Sequence, residues 1–253
     1  MYAEERQQRI VDRCRARQRV EVSALAEELA VTSETIRRDL RVLERRGVLR
    51  RVHGGAVPVE GIGFEPVPMP TGGVMTAEKA RIARAALAEL PEEGTILLDA
   101  GTTTARLADE LPSDRILTVV THSVRIALML TTRPNLTVML VGGRLRGRTL
   151  ATVDTWALRA LKDTFVEVAF LATSGVSPAR GLTTPDSAEA SIKRAAIGSA
   201  RRCVLLADHT KVGDDHFTKF AALNEIDTVI TDSGLDAGSA AELAAAGPKV
   251  ITA

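Results

Sequence analysis

The sequence predicts an α/β protein with a small N-terminal unit and a larger unit built around a mostly parallel sheet. Three observations support this fold class. Residues 1–57 show helical periodicity followed by a short apolar hairpin pattern. Residues 58–73 contain four Pro and four Gly without useful periodicity and are predicted to be a linker. Residues 74–253 alternate short apolar runs with amphipathic segments, which is typical of parallel strands covered by helices on both faces.

The N-terminal unit is predicted to contain three helices and a hairpin. Helices are expected at Ala3–Arg17, Ser23–Leu29 and Ser33–Arg46, with Thr32 capping the third helix and Gly47 ending it. Short apolar runs on both sides of a His-Gly-Gly sequence then indicate a small hairpin. A short helix, a tight turn, a second helix and a Gly-tipped hairpin together predict a winged helix-turn-helix, whose recognition helix enters the major groove of DNA.

The third helix has one apolar and one basic face. Ile36, Leu40 and Leu43 recur at helical spacing and form the predicted buried stripe. On the other side, we expect the first turn to read base edges and the later arginines to hold phosphates. The glycine tip of the hairpin would approach the DNA backbone closely. The residues predicted to contact DNA are Ser33, Thr35, Arg37, Arg38, Arg41, Arg45, Arg51, His53 and Gly54.

The charge distribution agrees with this interpretation but does not establish it. Residues 1–57 carry 13 Arg and no Lys against 9 Asp and Glu, although the whole chain has a net charge of only +1. A locally basic end fits an electrostatic DNA footprint. It also fits a solvated helix whose arginines pair with Glu34, Asp39 and Glu44. The preceding short helix and the following hairpin favour DNA binding.

The larger unit is predicted to contain seven strands with helices between most of them. The predicted strands are Thr95–Asp99, Leu117–Thr121, Thr137–Val141, Val168–Ala172, Cys203–Asp208, Thr228–Thr231 and Lys249–Ile251. The predicted helices are Ala77–Leu90, Thr103–Leu111, Val124–Leu130, Ser187–Arg202 and Ala237–Ala246.

The most informative segment of this unit is Asp99–Thr104, which follows a strand and opens a helix. Three hydroxyl groups and several backbone N–H groups converge there at the positive end of the helix, which predicts an anion site, with phosphate as the obvious anion. Asp99 stands at the carboxyl end of a strand, where open α/β sheets bind ligands. The alternative is an ordinary strand-turn-helix connection with good capping residues.

Other strand ends point to the same edge of the sheet, although each of them alone is more often a simple turn. Asp186 and Glu189 have the spacing of a capping box, so Asp186 has a purely structural explanation as well. Lys193 is either solvated or reaches a ligand phosphate. The predicted ligand-binding residues are Asp99, Gly101, Thr102, Thr103, Thr104, His122, Ser123, Gly142, Gly143, Ser174, Gly175, Asp186, Lys193, Asp208 and Lys211.

The chain resembles a known family along nearly its whole length. Residues 22–56, VSALAEELAVTSETIRRDLRVLERRGVLRRVHGGA, resemble the DNA-binding domain of the DeoR family of bacterial transcription regulators. The opening MYAEERQ and the later DAGTTT, VDTWAL and GLTTPD resemble, more narrowly, the fructose-operon repressors of actinobacteria. The resemblance implies a ligand domain similar to the sugar-phosphate isomerase and CoA-transferase-like superfamily. It also implies that Asp99–Thr104 and Lys193 belong to a phosphosugar pocket, with fructose 1-phosphate as the effector.

Two positions depart from the family pattern. Members usually carry an Arg shortly after the Phe-Glu of the linker, but here Phe64 and Glu65 are followed by no Arg before Lys79. The second strand usually ends in Thr-Asn-Ser, whereas here the middle residue is His122. These departures leave the coupling of the linker and the protonation of His122 open.

The partners expected are double-stranded operator DNA and a phosphorylated sugar, bound by a homodimer or homotetramer, because one small DNA-binding domain rarely gives enough affinity.

Two alternative functions are an isomerase-like enzyme and a regulator of another carbohydrate pathway. The enzyme would use Asp99, Asp208 and Lys193. There are no paired carboxylates at catalytic spacing, and no catalytic residue, cofactor or metal is expected. His209 and His216 are better explained as part of a charged loop. A charged N-terminus and the lack of a long apolar run predict a cytoplasmic protein without a membrane span.

Overall fold

A computed structural model describes residues 3–17, 19–45, 49–52, 54–58 and 75–253. The chain divides into two compact units, residues 1–71 and 72–253. The predicted C-cap Gly47, the predicted wing residue His53 and nearly all of the predicted linker lie outside the described residues.

The N-terminal unit is a helix-turn-helix with a small antiparallel sheet, as predicted. Its elements are α1 (Ala3–Arg17), β1 (Val20–Glu21), α2 (Val22–Glu28), α3 (Ser33–Arg45), β2 (Leu49–Val52) and β3 (Gly55–Pro58). In β3, Gly55 pairs with Val52 of β2 and with Glu21 of β1, which gives the strand order β1-β3-β2.

The core of this unit confirms the apolar stripe of the third helix. Ile36, Leu40 and Leu43 are at most 3% exposed and pack with residues from the other helices and from the sheet. Thr32 caps α3, because its hydroxyl oxygen accepts a hydrogen bond from the Thr35 N–H at 3.2 Å. With one stripe buried and the first turn capped, α3 is left with a polar outer face.

The larger unit is built around a seven-stranded parallel sheet. Its elements are α4 (Thr76–Ala86), β4 (Gly94–Leu98), α5 (Thr102–Glu110), β5 (Leu117–Thr121), α6 (Val124–Leu130), β6 (Leu136–Leu140), β7 (Arg144–Arg146), β8 (Ala151–Val153), α7 (Asp154–Lys162), β9 (Val166–Ala172), β10 (Gly175–Ser177), β11 (Gly181–Thr184), α8 (Ser187–Gly198), β12 (Ala200–Leu206), β13 (Thr218–Ala221), β14 (Thr228–Thr231), α9 (Ala237–Ala245) and β15 (Lys249–Thr252). The strand order in the parallel sheet is β15-β14-β12-β9-β4-β5-β6.

Helices cover both faces of the parallel sheet. In β4, Leu97 belongs to the apolar cluster shared with α7 and α8, whereas Ile96 and Leu98 belong to the cluster shared with α4, α5 and α6. Neighbouring residues of a strand point to opposite faces, so strands buried on both sides are apolar throughout. This arrangement explains why the strand pattern in the sequence shows no alternation.

Two predicted helices are too long. The predicted helix Ala77–Leu90 ends as an α-helix at Ala86 and is followed by a 3-10 turn, Leu87–Glu89. The predicted helix Ser187–Arg202 ends at Gly198, and β12 begins at Ala200. Ala200 and Arg202 pair with residues of β9, and the Val166 N–H donates to the Ser199 carbonyl at 2.9 Å. Sheet pairing therefore overrides the local helix propensity at these positions.

Three parts of the fold were not predicted from the sequence: helix α7, the hairpin β7–β8 and the antiparallel sheet β10-β11-β13. These strands have only three or four residues each, so their periodicity is too short to be read. Within the described ranges, no helix has the length and apolarity needed to cross a membrane.

Candidate nucleic-acid interface and ligand site

The outer face of α3 presents exposed arginines near its start. Arg37 and Arg41 both lie near the Glu34 carboxylate, at 3.5 Å and 3.1 Å. All three side chains are more than half exposed, and exposed ion pairs of this kind contribute at most about 1 kcal/mol. The ion pairs with Glu34 therefore contribute little to the stability of the helix. Arg38 is also exposed, and it forms no ion pair within the part of the chain that the structure describes.

The other two acidic residues of this helix have structural partners. Asp39 is 2% exposed and binds Arg6 of α1 at 2.6 Å and the Gln7 amide at 3.0 Å. Glu44 binds Arg51 of β2 at 2.6 Å. This hydrogen bond, reinforced by the Arg51 N–H, lowers the pKa of Glu44. Asp39 therefore ties α1 to α3, and Glu44 ties α3 to the hairpin.

The hairpin tip depends on its glycines. Gly54 has φ +78°, a conformation that side chains other than glycine rarely adopt. A Cβ atom at Gly55 would lie 1.9 Å from the Val20 carbonyl oxygen, so β1 can approach β3 only because residue 55 has no side chain. Strand packing therefore requires a glycine at the hairpin tip, whether or not the tip also approaches DNA. His53 and the side chain of Arg45 lie outside the described residues.

The larger unit contains a cavity of about 160 Å³ at the carboxyl ends of β4, β9 and β12. Its position follows from the parallel sheet, because the carboxyl ends of all its strands meet at one edge. Seven of the residues predicted from the sequence line it: Gly101, Thr102, Thr103, Ser174, Lys193, Asp208 and Lys211.

The floor of the cavity is formed at the start of α5. Gly101 is the N-cap, and no side chain caps the helix there, so the first turn keeps its N–H groups for other acceptors. A Cβ atom at Gly101 would lie 2.6 Å from the Ala172 Cβ, so glycine is required for packing against β9. The Thr104 hydroxyl instead donates to the Asp99 carbonyl at 2.6 Å and is fully buried.

Asp99, His122 and Lys193 form a buried polar cluster beneath this floor. His122 Nε2 lies 2.8 Å from Asp99 Oδ1, and Lys193 Nζ donates to Asp99 Oδ2. The remaining acceptor capacity of the carboxylate is used by the N–H groups of Ala100 at 2.8 Å and Ala172 at 2.9 Å. All three side chains of the cluster are at most 6% exposed.

The cluster fixes the charge of Asp99. Burial alone would raise the pKa of Asp99, but the positive charge of Lys193 and the hydrogen bond from His122 outweigh burial and hold the pKa well below its usual range. Lys193 also donates to the Ala172 carbonyl at 2.8 Å and lies 5.6 Å from the centre of the Phe220 ring. The ammonium group that lines the cavity is therefore held in one position by several contacts.

Two further carboxylates line the cavity, and both lie near cations. Glu189 binds Arg146 and accepts a hydrogen bond from the Thr149 hydroxyl at 2.7 Å, which connects α8 to the β7–β8 hairpin. Asp208 is 1% exposed and lies 3.8 Å from Lys79 Nζ. A ligand in this cavity would meet ammonium groups, carboxylates and hydroxyls together.

The structure gives several predicted ligand residues other roles. Ser123 and Asp186 are N-caps, accepting hydrogen bonds from the Ile126 N–H at 3.3 Å and the Glu189 N–H at 2.9 Å. Asp186 also binds Arg146 at 3.1 Å. Asp99 contacts three lining residues, Ala100, Ala172 and Lys193, without lining the cavity itself. Eight of the predicted residues do not line the cavity: Asp99, Thr104, His122, Ser123, Gly142, Gly143, Gly175 and Asp186.

Close packing explains two of the three predicted glycines away from the cavity, whereas a Cβ atom at Gly142 would meet no atom within 4 Å. A Cβ atom at Gly143 would lie 2.6 Å from the Val153 carbonyl oxygen, and one at Gly175 would lie 2.2 Å from the Asp214 carbonyl oxygen. Sequence reasoning also missed cavity residues with polar side chains: Lys79, Thr149, Thr173, Thr184 and Glu189. Only Thr173 has a signal of the kind used above, since it follows the strand end at Ala172.

The described residues contain no group of three His, Cys, Asp or Glu side chains arranged to hold a metal ion. His209 instead binds Asp232 at 2.8 Å, and the backbone N–H of His209 also donates to that carboxylate. The two cysteines, Cys14 and Cys203, are both buried, and Cys14 Sγ donates to the Ala56 carbonyl at 3.7 Å.

A helix-turn-helix joined to a parallel α/β unit with a polar cavity defines a DNA-binding transcription regulator with a sensor domain. Comparison with protein families agrees: residues 6–60 match the DeoR-like helix-turn-helix domain, and residues 74–233 match the DeoR C terminal sensor domain. The chain belongs to the DeoR family of transcription regulators.

Full-length relatives support this assignment. The HTH-type transcriptional regulator GlpR of Haloferax volcanii is 40% identical over 99% of this chain and 98% of its own length. The uncharacterized HTH-type transcriptional regulator FruR of Bacillus subtilis is 35% identical, covering 92% of each chain. The HTH-type transcriptional repressor GlcR of Bacillus subtilis is 31% identical over 92% of this chain and 89% of its own length. These relatives are named as regulators, and the chain is a regulator rather than an isomerase-like enzyme.

Proposed function

We propose that this protein represses an operon for the uptake or catabolism of a sugar and is released from its operator by a phosphorylated sugar. The cavity carries this proposal, because the uncapped start of α5 and the ammonium group of Lys193 converge on it. A helix N-terminus attracts phosphate, and lysine strengthens the attraction. The carboxylates of Glu189 and Asp208 offer acceptors for sugar hydroxyls.

Fructose 1-phosphate is our first choice of effector. Its support is the resemblance of the DAGTTT, VDTWAL and GLTTPD segments to the fructose-operon repressors. A DeoR-type regulator of another carbohydrate pathway is the second candidate, since the relatives bear several different names. The cavity chemistry favours a sugar phosphate in both cases.

The effector test uses operator release. A DNA fragment from upstream of the protein's own gene is bound in a gel-shift assay, and a panel of sugar phosphates is added. We expect fructose 1-phosphate to release the DNA at the lowest concentration, and release by a different sugar phosphate alone would favour the second candidate. Activation of the operon by the bound protein in a reporter assay would contradict repression.

A variant in the cavity connects release to this site. Thr103 lines the cavity and its side chain is only 5% exposed, so Thr103→Leu fills space that the ligand needs. We expect the operator to stay bound when the effector is added, whereas the exposed control Thr137→Leu responds normally. Normal release of Thr103→Leu would refute the assignment of the cavity.

The proposed DNA contacts are divided between bases and phosphates. We propose that Thr35, Arg37 and Arg38 read bases and that Arg41, Arg45 and Arg51 hold phosphates, as two or four copies bind paired half-sites. Arg38→Ala should lose about 1–3 kcal/mol at one base pair if its contact is bidentate. Binding to a library of operator variants measures this, and Arg180→Ala, exposed on the larger unit, is the control. An unchanged base preference would refute the role of Arg38.

A further inference from the structure

His122 lies between two hydrogen-bond acceptors in the buried cluster beneath the cavity. Its side chain is 2% exposed, and each of its two ring nitrogens lies close to an oxygen atom. Nε2 lies 2.8 Å from Asp99 Oδ1, and Nδ1 lies 3.2 Å from the Thr152 carbonyl oxygen. A carbonyl oxygen and an ionised carboxylate only accept hydrogen bonds. Both contacts are therefore favourable only if both ring nitrogens carry a proton.

Neither neutral form of the His122 ring fits these contacts. A neutral imidazole has one N–H donor and one lone pair, so one of its nitrogens would direct a lone pair at an oxygen atom. The Ala100 N–H lies 3.1 Å from Nε2 but does not resolve this conflict, because it lies closer to Asp99 Oδ1, at 2.8 Å. Burial raises the pKa of Asp99, but the charge of Lys193 and the hydrogen bond from His122 outweigh it and keep Asp99 ionised. The geometry is therefore that of a positively charged ring.

A charged His122 changes the charge balance of the cluster. Asp99 and Lys193 alone form an ion pair without net charge, in which the carboxylate neutralises the ammonium group that lines the cavity. With His122 as a second cation, two positive charges share one carboxylate, and the cluster keeps one net positive charge. A buried charge acts over several ångströms, because little water screens it.

This net charge lies directly beneath the floor of the cavity. Asp99 contacts three lining residues, through the N–H groups of Ala100 and Ala172 and the ammonium group of Lys193. The β8 strand contributes a backbone carbonyl to the cluster and no charge.

The other charged side chains of the neighbouring elements are paired with one another. On α8, Glu189 binds Arg146 of the β7–β8 hairpin, and Asp186, the N-cap of α8, binds the same arginine. The positive charge of the cluster is therefore directed at the cavity through Lys193 and the backbone N–H groups.

We propose that His122 is a positively charged positioning residue of the ligand site, whose charge keeps the cluster net positive and strengthens the binding of an anion in the cavity. His122 does not line the cavity and acts through Asp99, whose carboxylate it shares with Lys193. Loss of one ring proton leaves Lys193 neutralised by Asp99 and weakens the attraction for the ligand. This inference rests on the proposed function of the cavity as a sugar-phosphate site.

The first measurement is the protonation state of the His122 ring. The protein is labelled with isotopic nitrogen in its histidines, and a long-range proton–nitrogen NMR spectrum distinguishes protonated ring nitrogens from those with a lone pair. The His122 signals are assigned by their absence from the spectrum of His122→Asn. We expect both ring nitrogens of His122 to be protonated at neutral pH, and one unprotonated nitrogen overturns the inference.

The second measurement is the affinity for sulfate at neutral pH. Sulfate keeps both negative charges over the working pH range, whereas a phosphate ester takes up a proton near about pH 6. His122→Asn keeps an N–H donor for Asp99 but carries no charge. The matched control is His209→Gln, because His209 also binds a buried carboxylate, that of Asp232, but does not line the cavity.

We expect His122→Asn to bind sulfate about tenfold more weakly, which is the order of effect of one unit charge several ångströms away at intermediate dielectric constant. Fructose 1-phosphate should show the same loss, and His209→Gln should match the wild type. If sulfate does not bind, fructose 1-phosphate at neutral pH takes its place in the comparison. Circular dichroism verifies that each variant is folded, and His122→Gln replaces His122→Asn if it is not.

A pH series on the wild type separates the charge of His122 from its packing. As the pH rises, the affinity for sulfate should fall in parallel with the loss of the second His122 ring proton in the NMR spectrum. His122→Asn should lack this step, and His209→Gln should keep it. Because the wild type is compared with itself, the result does not depend on how well a variant packs.

Each remaining outcome overturns a defined part of this inference. A charged ring combined with unchanged sulfate affinity of His122→Asn refutes the role of His122 in ligand binding. A sulfate affinity that does not follow the ring proton refutes an action through charge. Operator release by a sugar phosphate in a protein whose His122 is neutral leaves the proposed function standing and overturns only the inference. A wild type that binds neither sulfate, inorganic phosphate nor the sugar phosphates overturns both.

Discussion

Substitution of Asp99 by Ala provides a severe test of the buried cluster. Asp99 is fully buried, and its carboxylate is bound by Lys193, by His122 and by two backbone N–H groups. Asp99→Ala would leave the 5%-exposed Lys193 without its anionic partner. Breaking a buried ion pair in this way costs about 3–5 kcal/mol. We expect a decrease of this size in the free energy of unfolding of the larger unit.

The double variant Asp99→Ala/Lys193→Met tests the physical reason for this cost. Removing the lysine as well removes the uncompensated charge, so the double variant should be more stable than Asp99→Ala alone. The two effects should therefore fail to add by at least about 1 kcal/mol. Additive effects, or a cost of Asp99→Ala below about 1 kcal/mol, would refute the reasoning.

Urea denaturation followed by far-UV circular dichroism is the suitable assay. The single tryptophan, Trp156, is 77% exposed in the folded protein, so its fluorescence would change little on unfolding. The control is Asp163→Ala, which removes an exposed carboxylate at the end of α7 and should change stability by no more than about 0.5 kcal/mol.

Three further predictions follow from single features of the structure. Gly55→Ala should strongly lower the melting temperature of the DNA-binding unit, because the new Cβ would lie 1.9 Å from a carbonyl oxygen. The Cβ of Gly54→Ala would meet no atom, so this variant should lose only about 1 kcal/mol of stability for its positive φ. Equal melting temperatures of the two variants would contradict this prediction. The lowered pKa of Asp99 stabilises the fold above the unfolded-state value of about 3.9, and this stability is lost as the pH falls below it. Asp99→Asn should therefore flatten the acid side of the stability profile, and an unchanged slope would count against the ion pair. Burial raises the pKa of Cys203 to about 12, with Asp227 and Glu225 contributing, and Cys14 is only 2% exposed. A thiol reagent should therefore react with neither cysteine in the native protein and with both in urea.

The sequence predicted the location of the cavity because parallel strands impose it. Once β4, β9 and β12 are recognised as parallel neighbours, their carboxyl ends must share one edge of the sheet. Gly101, Ser174 and Asp208 follow these strand ends and line the cavity for that reason. Lys193 was placed by the family resemblance, and its contact with Asp99 supplies the physical reason for its position.

Other cavity residues could not be predicted, because the local sequence does not show that the elements carrying them pack beside the cavity. Thr149 reaches the cavity from the short hairpin β7–β8, and Lys79 reaches it from the first turn of α4. Gly143 was predicted to let a ligand approach, and in the structure the Val153 carbonyl lies close to it. A glycine in a sequence indicates a close approach without identifying which group approaches.

The charges of the cavity limit the class of ligand that can satisfy it. Lys79, Lys193 and Lys211 line the same space as Glu189 and Asp208. A neutral sugar would give the carboxylates hydroxyl donors but would leave the lysines and the start of α5 without a new anion. Inorganic phosphate would satisfy the lysines but would place negative oxygen atoms, which only accept hydrogen bonds, beside the two carboxylates. A sugar phosphate brings a phosphate for the lysines and hydroxyl donors for the carboxylates in one molecule. The binding free energy of fructose 1-phosphate should therefore exceed the sum of the binding free energies of inorganic phosphate and of the neutral sugar.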